Sequence, residues 1–521
     1  VPVNLRQNSL ASHVFVTGST GSGKSNTIYQ LLNEGRNNGL KFLVVEPAKG
    51  EYKHVFGNHD DVSVYGTNPQ LTPLLRLNPF SFPKEIHILE HLDRLVEIFN
   101  VCWPMYAAMP AVLKKAVEQS YQDCGWNLLE STNPYGRLYP NFNDIADNIK
   151  TIIDSSEYDD ENKGAYKGAL LTRIESLTNG INGLIFSNDE LTNEHLFDSN
   201  VIVDLSRVGS TETKSLLMGI LVLKLQEYRM ANGDMNAELK HITVLEEAHN
   251  LLKRTSTEQM AESANLLGKS VEMLANAIAE MRTYGEGFII ADQAPGLMDL
   301  SVIRNTNTKI IMRLPDFSDR DLVGKSANLN DDQIIELAKL PKGVAAVYQN
   351  EWIQPVLCKV EKVEYDKTDY QYNGNSYFDT LSPSINLKLT ALLTGNNSFD
   401  EITKKELKFD ILNSTLSRKY VRQILDYCDE TVYEVKMTQI APIIAQLYPE
   451  TMKAIRNVGM KSQDYKALTN AVIRELHKEV DGPLTNQLQI NIVQALMTQY
   501  YFNELNDSSE LENWQNIGGI F

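Results

Sequence analysis

Cysteine is scarce in this chain of 521 residues: there are four, Cys102, Cys124, Cys358 and Cys428, and none sits in a CxxC pair. That excludes a disulfide framework and a thiolate zinc site, and it suits a reducing, cytoplasmic setting. No apolar run approaches the ~18 residues that a membrane-spanning helix needs, so no membrane partner is expected. The start, VPVNLRQNSLASHVF, has no basic stretch leading into an apolar one, so no signal peptide is visible. Positive charge is also short: 49 Lys and Arg stand against 67 Asp and Glu, a net charge of −18. Proteins that coat nucleic acid with an outer surface are usually basic, so that class is disfavoured. A narrow basic pore inside an assembly escapes this argument, because net charge does not report local lining. Internal repeats and low-complexity tracts are absent too, which sets aside solenoids and arrays.

What is there is ordinary globular composition, with 42% hydrophobic, 22% charged and 8% aromatic residues, so wholesale disorder is excluded. At roughly 150 residues per domain, the length predicts three to four domain-sized units. The acid is unevenly spread. Residues 151–200 hold ten Asp and Glu against three Lys and Arg, whereas residues 1–60 hold four against six.

A short apolar run at 14–17 predicts a buried strand. A Gly-rich stretch, an amphipathic run over 25–34 and a second strand, KFLVVE (41–46), follow it. A strand–loop–helix–strand opening marks an α/β domain with a parallel sheet. Pro69, Pro73, Pro79 and Pro83 punctuate a connection, and helical periodicity then runs from Ile86 to about Gly180 with an acidic break at 154–164. Strand-like runs return at 201–205, 242–246, 288–292, 309–314 and 344–349. The reading is an α/β core split by a helical insertion. Residues 1–80 form its first part, 81–195 the insertion, 196–365 its second part, and 384–521 a mainly helical C-terminal region. The polar run 366–379 reads as a linker.

The sharpest motif is Gly18-Ser19-Thr20-Gly21-Ser22-Gly23-Lys24-Ser25, which fits G-x-x-x-x-G-K-[ST] between a strand and a helix. Glycines let the backbone N–H groups wrap phosphate oxygens, and the helix N-terminus adds positive potential. In this pattern Lys24 reaches the β- and γ-phosphates of ATP and the Ser25 hydroxyl holds Mg²⁺. Asn26 completes the nucleotide-binding run. Such a loop needs carboxylates nearby, one for the metal and one to polarise water. Glu246 and Glu247, ending ITVLEE, supply both from one place, with Glu246 on the metal side and Glu247 as base; Asp204, ending VIVD, is the other candidate. Gln293 follows the strand FIIAD, where a polar amide can sense the γ-phosphate or the attacking water. Arg282, Arg304 and Arg313 are candidates for an arginine lent in trans, and Lys253, Arg254 and Lys269 for contacts to a phosphate backbone. LSRVGS (205–210) lacks the GGQ of an ABC signature, which weighs against that class.

Five blocks, VTGSTGSGKSN (16–26), VVEPAKGEYK (44–53), VLEEAHNLL (244–252), MRTYGEGFIIADQAPGLMD (281–299) and NTNTKIIMRL (305–314), resemble the HerA branch of the FtsK/HerA ATPases in content and order. The resemblance covers about residues 8–350. It implies a RecA-like motor domain, a homo-hexameric ring with ATP between subunits, and ATP-driven movement of double-stranded DNA. It also implies work beside a nuclease or other effector, in some relatives in anti-phage defence. By the same resemblance Lys24 and Ser25 bind nucleotide, Glu246 and Glu247 take the Walker B role, Gln293 is the sensor, Glu51 falls in a GEY element, and Arg282 in an R-x-x-G element becomes the preferred arginine. The family commonly has Asp where Glu46 and Glu246 stand. It also carries an N-terminal β-barrel, which lies outside this sequence or is lacking in this relative. A second functional reading is a nucleotide-dependent scaffold that assembles and regulates a defence effector with little translocation of its own.

Overall fold

The computed structural model describes residues 2–254, 263–365, 369–372, 383–395, 401–414, 416–429, 436–459, 464–480 and 482–517. These fall into two compact units. The first spans 1–122, 127–132 and 145–376; the second spans 123–126, 133–144 and 377–521.

The first unit is built on one sheet of nine strands: β1 (Val14–Thr17), β2 (Lys41–Glu46), β3 (Val62–Gly66), β4 (Asn200–Asp204), β5 (His241–Glu246), β6 (Glu286–Asp292), β7 (Thr308–Ile311), β8 (Val344–Gln349) and β9 (Val356–Lys359). Their spatial order is β3-β4-β2-β5-β6-β1-β7-β8-β9. Every pairing from β3 to β7 is parallel, and β8 and β9 add antiparallel at one edge. Parallel neighbours need crossovers, usually helices. Here they include α1 (Lys24–Asn37), α2 (Ile88–Cys102), α3 (Thr211–Asn232) and α4 (Ser263–Glu280). All residues of β1, β4, β5 and β6 are buried, so both faces of the sheet are covered, as a parallel sheet requires. Alternate residues divide the strands between the two faces. Val14, Val16, Phe42, Val44, Ile242, Val244 and Ile289 pack with Ile28 and Leu32 of α1 in one apolar cluster. The α/β core, split in sequence and mostly parallel, is the expected architecture.

Two strands were not expected. β3 is an edge strand whose polar–apolar alternation, VSVY, lies between polar loops, and β9 carries mostly exposed residues and so leaves no burial signature. Both sit at the margins, where the apolar signal is weakest.

The second unit is helical: Pro383–Leu393, Glu401–Asn413, Arg418–Asp429, Met437–Leu447, Pro449–Gly459, Tyr465–Glu479, Asn486–Thr498 and Ser508–Ile517. Asp144 accepts the Arg418 backbone N–H at 2.8 Å and the Ser417 hydroxyl at 2.8 Å, tying the 133–144 stretch to the C-terminal helices. The division of the chain therefore differs from the boundaries read from sequence, since 123–126 and 133–144 lie inside the 81–195 stretch. The reason is tertiary: that contact joins residues about 270 apart in the chain. Most of the linker read at 366–379 lies outside the described residues. Among the described residues no helix is long and apolar enough to cross a membrane.

Candidate nucleotide site

The carboxyl ends of β5, β6 and β1 lie side by side: Glu246 pairs in register with Ala291, and Val16 with the same Ala291. Ligands of open α/β sheets bind beyond these ends. Three segments that are far apart in sequence therefore converge: the loop after β1, the acid pair closing β5, and Gln293 just past β6.

The loop Gly18–Ser25 is wrapped tightly. The Ser19 N–H bonds the Arg313 carbonyl at 2.8 Å, and the Gly343 N–H bonds the Ser22 carbonyl at 2.8 Å. Gly23 has φ 110°, a conformation that side chains rarely adopt. A Cβ on Gly18 would lie 2.8 Å from the Cβ of Met312, so only glycine lets the loop pass there. α1 begins at Lys24, aiming its free N–H groups and positive end at the loop. Ser25 occupies the first turn of that helix.

Lys24 is buried, and its Nζ stands 3.3 Å from Oε1 of Glu247 and 3.8 Å from Oε2 of Glu246. The Gln293 amide donates to Oε1 of Glu247 at 2.6 Å, and the Thr20 hydroxyl donates to the Gln293 carbonyl oxygen at 2.7 Å. A continuous chain thus runs Thr20, Gln293, Glu247, Lys24, out of the loop and back into it. Glu247 has φ 46° and ψ 50°, a left-handed conformation that costs a non-glycine residue about 1–3 kcal/mol. The turn points its carboxylate across the strand ends rather than along the chain.

Glu246 is almost fully buried, and burial pushes its carboxyl up from the usual range while the Lys24 ammonium pulls the other way. The Tyr52 hydroxyl donates to its Oε1 at 2.6 Å. His249 is fixed by Asp292, which accepts both its backbone N–H (2.9 Å) and Nδ1 (2.8 Å). That bond to Asp292 raises the His249 pKa above its ordinary value. Ligand atoms of Glu247, His249 and Asp292 lie within 4.8 Å of one another.

The remaining sequence candidates are dispersed. Asp204 lies two strands from β5 in the order β4-β2-β5 and is paired with Lys53 at 2.6 Å. Burial pushes its carboxyl up, but Lys53 and Ser206 outweigh this and hold it below the usual range. Asn26 has its side-chain amide bonded to the Glu361 carbonyl (2.8 Å) and the Val363 N–H (2.9 Å), so only its backbone is left for a phosphate. Arg282 is exposed at the amino end of β6, at least ~20 Å along the strand from its carboxyl end at ~3.3 Å per residue. Arg304 likewise precedes β7 and is exposed, whereas Arg313 follows β7 beside the loop. Lys253, Arg254 and Lys269 are exposed, and the stretch 255–262 between them lies outside the described residues.

Sequence reasoning assigned no role to Tyr52, Lys53, His249 or Asp292. Asp292 was visible as the last residue of FIIAD. Tyr52 and Lys53 lay in a resembling block, but nothing local linked them to residues about 150–190 positions away.

Residues 1–225 match the family model described as helicase HerA, central domain. The chain is 22% identical over 368 residues to the DNA double-strand break repair helicase HerA of Sulfurisphaera tokodaii, covering 70% of this chain and 68% of that one. Among solved structures, VirB4 of Thermoanaerobacter pseudethanolicus superposes with a TM-score of 0.52 at 17% identity, covering 69% of this chain and 92% of that one. The plasmid coupling protein TrwB in complex with ADP and Mg²⁺ superposes with a TM-score of 0.50 at 12% identity, covering 70% and 89%. At these identities the two structures speak for the fold alone.

Proposed function

We propose that this chain is a HerA-like P-loop ATPase of the FtsK/HerA class, a reading supported by the match of residues 1–225 to the HerA central domain, and that it couples ATP hydrolysis to the movement of double-stranded DNA through a homo-hexameric ring. The observation that carries the hydrolytic part is the hydrogen-bonded chain Thr20–Gln293–Glu247–Lys24. It links the phosphate loop, a sensor and a base through one carboxylate oxygen.

In this reading the backbone of Gly18–Asn26 wraps the phosphates and Lys24 moves from the acids to the β- and γ-phosphates. Glu247, freed of Lys24, orients and polarises the attacking water, and Gln293 reports the γ-phosphate to Thr20 and Glu247. Ser25 and Glu246 offer a hydroxyl and a carboxylate oxygen beside the loop, an oxygen donor set that suits Mg²⁺. When bound, the ion supplies charge neutralisation on the phosphate oxygens. Arg282, far from its own loop, serves a neighbouring subunit's site. The proposal includes a nuclease or other effector as partner and a place in antiviral defence, for which the support is family resemblance, and a cytoplasmic location, for which the support is the scarce, unpaired cysteine.

The test is the ATPase rate against added linear double-stranded DNA, on protein whose mass is followed by light scattering. The expected result is strong stimulation on a species of about six subunits. Steady hydrolysis indifferent to every DNA form would overturn the motor reading and favour the nucleotide-dependent scaffold, to which the net charge of −18 also lends support.

A further inference from the structure

We propose that the segment Gly50–Lys53 is a clip for a row of carboxylates, and that Tyr52 within it is a positioning residue that fixes Glu246 for the metal of the nucleotide. The inference rests on the ATPase reading of the site and adds to it a residue that acts through Glu246.

The problem the clip solves is set by the sheet. Glu46 pairs in register with Asp204, and Val45 with Leu245, so Asp204, Glu46 and Glu246 end three adjacent strands. At ~4.8 Å between strands, three acids fall within about 10 Å. Like charges that close disfavour one another's ionised form, and burial adds to the effect. Glu46 shows the result: burial, with Asp204 and Glu246 nearby, pushes its carboxyl up to about 7 despite two backbone bonds.

Each acid receives a donor from the same four-residue stretch. The Glu51 N–H bonds Oε1 of Glu46 at 2.8 Å, and the Tyr52 N–H bonds Oε2 at 3.2 Å. The Lys53 ammonium bonds Asp204 at 2.6 Å. The Tyr52 hydroxyl bonds Oε1 of Glu246 at 2.6 Å. Tyr52 is thus held at both ends between two of the three acids. The turn that starts the clip needs glycine: Gly50 has φ 69°, and a Cβ there would lie 2.9 Å from the Ser206 hydroxyl and 3.0 Å from Oδ2 of Asp204.

The geometry also divides the two oxygens of Glu246. Oε1 belongs to Tyr52, and Oε2 faces Lys24 and the phosphate loop. The ring of Tyr52 is 1% exposed and meets Tyr29 of α1 edge-to-face with centroids 4.9 Å apart. The hydroxyl is therefore set by packing against the helix that follows the phosphate loop. The Glu246 side chain has one more rotatable bond to restrain than an Asp would have. A hydroxyl clamped on one oxygen supplies that restraint.

The test is Mn²⁺ titration by electron paramagnetic resonance in the presence of a non-hydrolysable ATP analogue, on the full chain. Tyr52→Phe keeps the ring and removes the donor. Loss of a partner that orients a metal ligand typically weakens metal affinity by ~10–100-fold, and that loss is expected. Binding of the analogue in EDTA should stay within about 2-fold, because the phosphate loop itself is untouched. Tyr29→Phe, which shares the ring packing but not the bond to Glu246, should leave Mn²⁺ affinity unchanged. Gly50→Ala, which keeps every donor but displaces the turn, is the second variant and should weaken Mn²⁺ in the same direction. Unchanged Mn²⁺ affinity in Tyr52→Phe, or equal weakening in Tyr29→Phe, overturns the positioning role. No Mn²⁺ binding by the wild type with analogue would instead overturn the nucleotide-site assignment, and the clip's role with it.

Discussion

Two lysines meet carboxylates at the carboxyl ends of this sheet, and the two contacts are built differently. Lys53 and Asp204 meet at 2.6 Å, both buried, and the Ser206 N–H occupies a further position on the same carboxylate at 2.9 Å. Lys24 instead stands between two acids at 3.3 and 3.8 Å, and one of them, Glu247, sits on left-handed backbone and takes a second donor from Gln293. The first is a closed pair: a buried ion pair stripped of one member is strongly destabilised, so its partners are committed to each other. The second is shared, longer and backed by strain, the kind of contact that a ligand can rearrange. The difference teaches which acid to assign to chemistry. Sequence left Asp204 as the rival to the Glu246–Glu247 pair; we propose the pair, since Asp204 already has its lysine and lies beyond β2 from the loop.

The comparison can be broken most sharply at Lys24. Lys24→Ala is expected to abolish ATP hydrolysis in a coupled phosphate-release assay while the chain stays folded by circular dichroism; normal turnover would discard the phosphate-loop assignment. Next comes Glu247→Gln, which should retain ATP binding in equilibrium dialysis and lower kcat by ~10²-fold or more, the scale of a general base. Asp204→Asn is its counterpart. It leaves Lys53 buried against a neutral amide and should cost about 3 kcal/mol in urea unfolding, with kcat changed by less than about 3-fold. If Asp204→Asn instead silences turnover at unchanged stability, the two contacts have been assigned the wrong way round. The smallest expected effect is at Asn26. Asn26→Ala removes two bonds to the 361–363 backbone and should lower stability by about 1–2 kcal/mol in the same assay, with hydrolysis retained. Loss of nucleotide binding in that variant would show that its side chain, and not only its backbone, serves the ligand.

Much of the first unit was legible because its signals are local. The strands at 14–17 and 41–46 are short buried runs bounded by turn residues, and the structure has them at those residues. The loop between 18 and 25 was legible because glycine spacing is itself the constraint: Gly18 has no room for a side chain and Gly23 turns through positive φ. Edge strands β3 and β9 were not legible, since half-exposed residues leave little apolar pattern. Asn26 was read as part of a nucleotide run from its place in the motif. Its side chain is taken by residues more than 330 positions later, a contact that local pattern does not encode.

The sequence by itself determined the phosphate loop, the alternation of strands and helices, and the identity of the acids that end β2, β4 and β5. These follow from spacing, period and residue type within short windows. Only the tertiary structure decided that Asp204, Glu46 and Glu246 form one row, that Lys53 closes the first while Tyr52 clamps the last, and that Gln293 and Glu247 share a hydrogen bond. The reason is physical. Side chains meet across strand ends according to the order in which strands pair, and the order β4-β2-β5-β6-β1 is settled by burial of both faces of the whole sheet rather than by any stretch of chain.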